Sequence, residues 1–237
     1  MNNEFVILHW IYVTSMAAGA IAIAVMSRNP RGVPKVDYFI TFLIPVWSGI
    51  AYMSMALGQG MTEIADQITF YARYLDWVVT TPLLLLSLCL TAMYYVDKNK
   101  IIISGIIIAD VVMVLCGLIG DLSTGTNRYI WFSIGVVAFL VVLWLIWGPV
   151  RNIAYEQNQR LYRLYLVAAA YLSIFWIGYP TAWIIGPSGL NLVSQRVDTY
   201  LFVILPIFSK VGFGLLVLIG LRRLQNPLNI EQNKKFT

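Results

Sequence analysis

The sequence predicts an all-α membrane protein, a bundle of seven transmembrane helices with the N-terminus extracellular and the C-terminus cytoplasmic. Composition is the first reason: 59% of the 237 residues are hydrophobic and only 11% are charged, against about 25% charged in a soluble domain. The second is segmentation. Apolar stretches of about 20 residues can span a bilayer, and they fall at roughly 4–26, 36–57, 70–95, 101–122, 128–149, 161–186 and 193–221. The third is an uneven distribution of charge between the loops on the two sides.

These segments make residues 1–225 one transmembrane domain and leave 226–237, "NPLNIEQNKKFT", as a cytoplasmic tail. The first segment opens on Asn2, Asn3 and Glu4, and "RNPRGVP" follows it in place of a small-residue cleavage site, so it reads as a helix and not a signal peptide. One set of loops carries Arg28, Arg31, Lys35, Lys98, Lys100, Arg151, Arg160, Arg163, Arg222, Arg223, Lys234 and Lys235. The other set has Arg128 and Arg196, with Glu4, Glu63, Asp66, Asp121 and Asp198 nearby. The basic side is therefore cytoplasmic, and odd segments run inward. This rule accounts for the net charge of +5, and no nucleic-acid partner is expected. Cys89 and Cys116 both lie in apolar segments, which makes no case for a disulfide or a metal site. The bilayer is the expected environment, as a multi-pass protein of a prokaryotic plasma membrane.

A few charges fall where lipid should be. Lys210 stands 12 residues before Arg222, roughly 18 Å along a helix, too deep for its stem to reach the interface. A charge at that depth faces the interior and has a partner. An ion pair that only holds helices together is one reading, but it is a poor substitute for apolar packing. The sharper reading is an amine with covalent work, the usual partner of an aldehyde in a Schiff base.

In the third segment, "YARYLDWVVTTPLLLLSL", Arg73, Asp76, Thr80 and Ser87 share one face. Asp76 is the natural counter-ion of a cation on the seventh segment. Arg73, one turn outward, favours its ionised form, and Thr80, one turn inward, can hydrogen-bond it. Asp110 has no basic neighbour on its own segment and reads as a protonated, hydrogen-bonded structural acid. The sixth segment adds an aromatic stripe, Trp176, Tyr179 and Trp183. With Trp77 and Trp131 it would wall in a long, flat, apolar ligand tied to Lys210. Pro180 and Pro206 interrupt the sixth and seventh segments and mark plausible bends.

Together "RYLDWVVTTPLLLLSL", "WIGYPTAWIIG" and "PIFSKVGFG" resemble the microbial rhodopsins, in order and spacing, over nearly the whole chain. The resemblance implies all-trans retinal on Lys210 as a protonated Schiff base, with Asp76 as counter-ion and primary proton partner. Position by position it implies a retinal pocket of Trp77, Thr80, Leu84, Met113, Gly117, Trp131, Trp176, Tyr179, Trp183, Pro206 and Ser209. Tyr52 would hydrogen-bond near the counter-ion, and the proton path would include Arg73, Tyr52, Thr80, Ser87, Asp198 and Val217. Such a protein is a photoactive transporter or sensor and not an enzyme, and it is expected to form a homo-oligomer. "LHWIYV", "SRNPRGVP", "IPVWSG" and "IIGPSG" are most similar to the group of Anabaena sensory rhodopsin and the xenorhodopsins.

The acids bear on direction. An outward pump like bacteriorhodopsin needs a cytoplasmic proton donor, and the position for it, 11 residues beyond Asp76, is Ser87. A hydroxyl has no usable pKa for that task. Pro206 stands where such pumps have a second aspartate. An ionised Asp76 argues against chloride pumping, and the residues usual in sodium pumps are absent. Passive conduction has little support, since no polar stripe lines the spans. An inward proton pump of the xenorhodopsin kind is the leading expectation. A photosensor read by a soluble transducer is the alternative, favoured by Val217, which stands where several relatives have an acidic proton acceptor. An outward pump comes last.

Overall fold

The computed structural model describes residues 3–64 and 67–225. The tail from 226, with Lys234 and Lys235, and also Asp66, lie outside the described residues. The helices are α1 (Asn3–Ser27), α2 (Lys35–Ala56), α3 (Tyr71–Ala92), α4 (Lys100–Leu122), α5 (Thr126–Tyr155), α6 (Gln159–Ile185) and α7 (Gln195–Leu224). All 7 are long and apolar enough to cross a membrane. Connections are short, so successive helices run antiparallel and pack as neighbours.

Local chemistry sets the helix starts. Asn99 accepts from the Ile101 and Ile102 amides at the head of α4, and Asn158 accepts from Leu161 at the head of α6. Ser194 does the same for Val197 at the head of α7. The third segment stops at Ala92, short of 95, because Lys98 folds back onto the Met93 and Val96 carbonyls and closes the turn there. The fifth runs on to Tyr155, past 149, through a π-helical turn at Ile146–Val150 that absorbs Pro149.

A second π turn, Ile207–Gly212, follows Pro206 in α7 and contains Lys210. The Tyr171 hydroxyl of α6 donates to the Phe208 carbonyl at 3.2 Å. Gly212 makes that approach possible, since a Cβ there would lie 2.3 Å from the hydroxyl. One more element was not expected: between α2 and α3, β1 (Thr62–Ile64) and β2 (Gln67–Thr69) form an antiparallel pair. Three residues per strand are too few for an alternating pattern to stand out.

Burial ranks the helices. In their most apolar windows α3 is 56% and α7 50% buried, whereas α4 and α5 are 22% buried. Thus α3 and α7 form the centre of the bundle. The exposed surface of α4 and α5 carries Ile101, Ile108, Val137, Leu140 and Trp144, a face suited to lipid. At the end where Arg28, Arg31 and Arg222 gather, Arg222 donates to the Asn29 carbonyl at 2.7 Å. Gln157 accepts from the Tyr95 amide and donates to the Ala92 carbonyl, tying α5 to the end of α3.

Candidate functional site

The two central helices meet at one ion pair. Lys210 Nζ on α7 is bonded directly to Asp76 Oδ2 on α3, and both side chains are fully buried. Helical spacing on α3 puts Arg73, Asp76, Thr80 and Ser87 on its buried face. Thr80 Oγ1 shares its one proton between Asp76 Oδ1 at 3.1 Å and the Asp76 carbonyl at 2.9 Å. A buried pair of this kind is tolerated only when further hydrogen bonds satisfy both charges.

Much of that satisfaction comes from helices that the charge pattern did not implicate. Ser48 Oγ on α2 donates to Asp76 Oδ2 at 2.9 Å and accepts from Lys210 Nζ at 2.8 Å. Its single proton is committed to the carboxylate, so Tyr12 OH on α1, at 2.5 Å, must donate to Ser48. The sequence held a clue: Asp37, Thr41, Ser48 and Tyr52 recur at steps of 4, 7 and 4 in an apolar segment, and all are buried.

Two residues expected near the counter-ion make their hydrogen bonds to other groups. Tyr52 does not bond the carboxylate; its hydroxyl donates to the Phe202 carbonyl at 2.6 Å while its ring stacks on Tyr12 at 3.6 Å. Ser48 bonds Asp76, and Tyr12 bonds Ser48. Arg73 is bonded not to Asp76 but to Asp198 on α7, with Nη1 to Oδ2 at 3.1 Å, and its guanidinium lies over the Phe70 and Phe202 rings. An arginine one turn from an acid on one helix points past it when a buried acid on another helix offers a charge-assisted hydrogen bond.

A largely apolar cavity lies against Trp77, the residue after Asp76. Of the residues expected around a ligand, Trp77, Met113, Gly117, Trp176, Tyr179 and Trp183 line it. Tyr179 OH is 2.9 Å from Ser209 Oγ, which links the wall to the residue before Lys210. Trp131 is not on the wall. It sits against Gly120 at the α4–α5 contact, and its neighbour Phe132 lines the cavity, stacked on Trp183 at 4.4 Å. One residue on a helix is a rotation of about 100°, and two adjacent aromatics give no clue to which faces inward. Leu84 and Pro206 are also off the wall: Leu84 is fully buried in the core beside Trp176, and Pro206 sits at the head of the π turn. Phe202, Phe139 and Gly135 complete the lining and were not anticipated.

The two directions away from Lys210 differ in character. Toward Arg73 lie Asp198, bonded to it, and Tyr52, stacked on Tyr12. Toward Ser87 and Val217, 3% and 1% exposed, lies the largest apolar cluster, with Leu84, Leu88, Leu172, Phe213 and Leu218. Asp110 is hydrogen-bonded to Thr81 Oγ1 at 2.7 Å, joining α4 to α3 beside the cavity.

Comparison with known proteins bears on this arrangement. The chain matches the family described as bacteriorhodopsin-like protein over residues 4–224. It is 36% identical to archaerhodopsin-3 of Halorubrum sodomense over 186 residues, covering 76% of this chain and 70% of that protein. Over 213 residues it is 34% identical to sensory rhodopsin-2 of Natronomonas pharaonis, covering 89% of this chain and 87% of that one. The fold superposes on the crystal structure of the light-driven proton pump rhodopsin of Coccomyxa subellipsoidea with a TM-score of 0.85 and 31% identity, covering 92% and 97% of the two chains. Members of the bacteriorhodopsin-like family bind retinal through a Schiff base and sit in the plasma membrane of prokaryotes. With seven spans and a match over nearly its whole described length, this chain belongs to the bacteriorhodopsin-like family.

Proposed function

We propose that the protein is a light-driven inward proton pump of the xenorhodopsin kind, with all-trans retinal held on Lys210 as a protonated Schiff base and Asp76 as counter-ion. The residues fit that group. The Lys210 amine is buried beside a carboxylate, and the adjoining walls are aromatic. Gly117 leaves room at the wall, since a Cβ there would lie 3.1 Å from the Tyr74 ring. Retinal bound there supplies a light-driven isomerisation that re-aims the proton carried on Nζ.

The chain's own groups give that proton a direction. Asp76, fixed by Thr80 and Ser48, holds negative charge at Nζ in the dark. The observation that carries the reading is the asymmetry about Lys210. On the Arg73 side lie a buried ion pair, Arg73 with Asp198, and the Tyr52 hydroxyl, whereas the donor position of an outward pump is Ser87, a hydroxyl beside the apolar cluster. In this reading the Nζ proton leaves toward Ser87 and Val217 through transient water, and Nζ is reprotonated from the Arg73 side by way of Asp76. Pro206 in place of a second carboxylate, and the loops similar to the xenorhodopsin group, support the same choice. The basic end is then cytoplasmic, and the molecule works as a homo-oligomer in the bilayer.

A sensory reading has an observation of its own. Val217, not an acid, is sealed in apolar packing, and the match to sensory rhodopsin-2 spans 89% of the chain. In that case a soluble transducer would dock on the basic end. Illuminating retinal-supplied cells while following external pH separates the readings. Inward pumping makes the medium alkaline, and a protonophore abolishes the change. An unchanged pH sinks the pump, and acidification reverses it.

A further inference from the structure

His9, the chain's single histidine, touches neither the Lys210 pair nor the cavity wall, yet it is fully buried. It stands on the inward face of α1 with Phe5, Tyr12 and Met16, at helical steps of 4, 3 and 4. Tyr12, one turn away, is the residue that reaches Asp76 through Ser48.

The hydrogen bonding of His9 defines its chemical state. Nδ1 is 2.6 Å from the Phe5 carbonyl. A carbonyl only accepts, so Nδ1 carries a proton, and in the neutral ring Nε2 is left as an acceptor. Nε2 is buried and has no hydrogen-bond partner among the described residues. On the Phe70 ring, 5.3 Å from the imidazole, also lies the Arg73 guanidinium, 4.7 Å from the centroid. Arg73 Nε and Nη2 are likewise buried and unpartnered among the described residues. One orphan acceptor and two orphan donors thus gather around one aromatic ring. Buried polar groups are seldom left unpaired, and a water with two to four such neighbours is the usual solution.

Among the described residues, the surroundings are otherwise short of titratable groups. α2 presents Tyr52, its hydroxyl committed to the Phe202 carbonyl. α3 presents Arg73, and α7 presents Asp198, held by Arg73. On α1 itself, Tyr12 is committed to Ser48, and Glu4 is engaged by Arg196 and Tyr200.

We propose that His9 is the proton relay on the Arg73 side of the site, the step between outer water and Asp76. This rests on the inward-pump reading for its direction only. In the uptake step a hydronium O–H bond breaks and an Nε2–H bond forms, giving the imidazolium. In the second step that Nε2–H bond breaks, and its proton passes through water beside Arg73 to the Asp76 carboxylate. Nδ1 keeps its proton on Phe5 throughout. Imidazole suits the task because its ordinary pKa lies between pH 5 and 8.

A single histidine allows a direct test. The full chain, with retinal and a purification tag free of histidine, is labelled with 15N-histidine, and light-minus-dark infrared spectra are recorded through the photocycle. The dark spectrum should show the neutral Nδ1–H ring, and an imidazolium band should appear and decay before the dark state recovers. His9→Phe should slow that recovery by at least about tenfold, and His9→Gln should be nearly as slow, with the dark absorption maximum unchanged in both. A label that stays neutral in every intermediate overturns the relay, whatever the variants do. So does recovery at the wild-type rate in His9→Phe. An imidazolium band in a protein that moves no net proton keeps the relay and sinks the pump. Inward transport without the band does the reverse.

Discussion

Ser48 gives its only hydroxyl proton to Asp76 at 2.9 Å and takes hydrogen bonds from both Lys210 and Tyr12. This serine joins α1, α2, α3 and α7 at one point. It makes the counter-ion's environment a property of four helices and not of α3 alone.

Ser48→Ala should therefore be felt in both colour and stability. Asp76 loses a donor, and Tyr12 is left with a buried, unpaired hydroxyl, which costs about 1–3 kcal/mol. The absorption maximum should move to the red, because a less firmly held carboxylate stabilises the ground-state cation less. Visible spectra and a thermal melt of the retinal-loaded protein measure the two effects.

Asp76→Asn removes the charge outright. The red shift should exceed that of Ser48→Ala, and light-driven pH changes should vanish. A spectrum identical to wild type would mean that some other group balances Lys210.

Lys210→Ala should stay colourless with added retinal, and the unpaired Asp76 should destabilise the bundle by about 3–5 kcal/mol. Lys210→Arg keeps a cation beside Asp76 but cannot form the covalent bond. It should also be colourless while melting closer to wild type, which separates attachment from charge balance.

Arg73→Gln leaves Asp198 buried without its cation and should cost about 3–5 kcal/mol. Adding Asp198→Asn should recover part of that loss. A double-mutant cycle on melting midpoints reads the coupling, and strictly additive effects would show that the pair at 3.1 Å contributes nothing to stability.

The wall residue offers a fifth contrast. Phe132→Ala removes the ring stacked on Trp183 and should shift the absorption maximum and slow retinal uptake, whereas Trp131→Ala should leave the maximum in place. Spectra of the two reconstituted variants decide between adjacent aromatics.

Hydropathy alone revealed the seven spans, because a bilayer demands long apolar runs whatever they pack against. Lys210 and Asp76 were legible for the complementary reason: a charge in such a run needs a partner, and few were available. What stayed hidden depends on how helices are rotated and paired. Nothing in the string links Arg73 to Asp198, 125 residues apart, or distinguishes Phe132 from Trp131. His9 and Tyr12 lay inside a quoted motif, but their helix carried no misplaced charge to draw notice. The π turn around Lys210 could be anticipated only as a bend at Pro206, since its hydrogen bonds are settled by packing against Tyr171 and α6.

The central claim is directional, and the sign of a photocurrent tests it most directly. In a voltage-clamped cell expressing the retinal-loaded protein, at zero membrane potential and equal pH on both sides, illumination should drive a sustained current into the cytoplasm, absent in Lys210→Ala. A sustained outward current, or none beyond the initial charge displacement, would contradict the account.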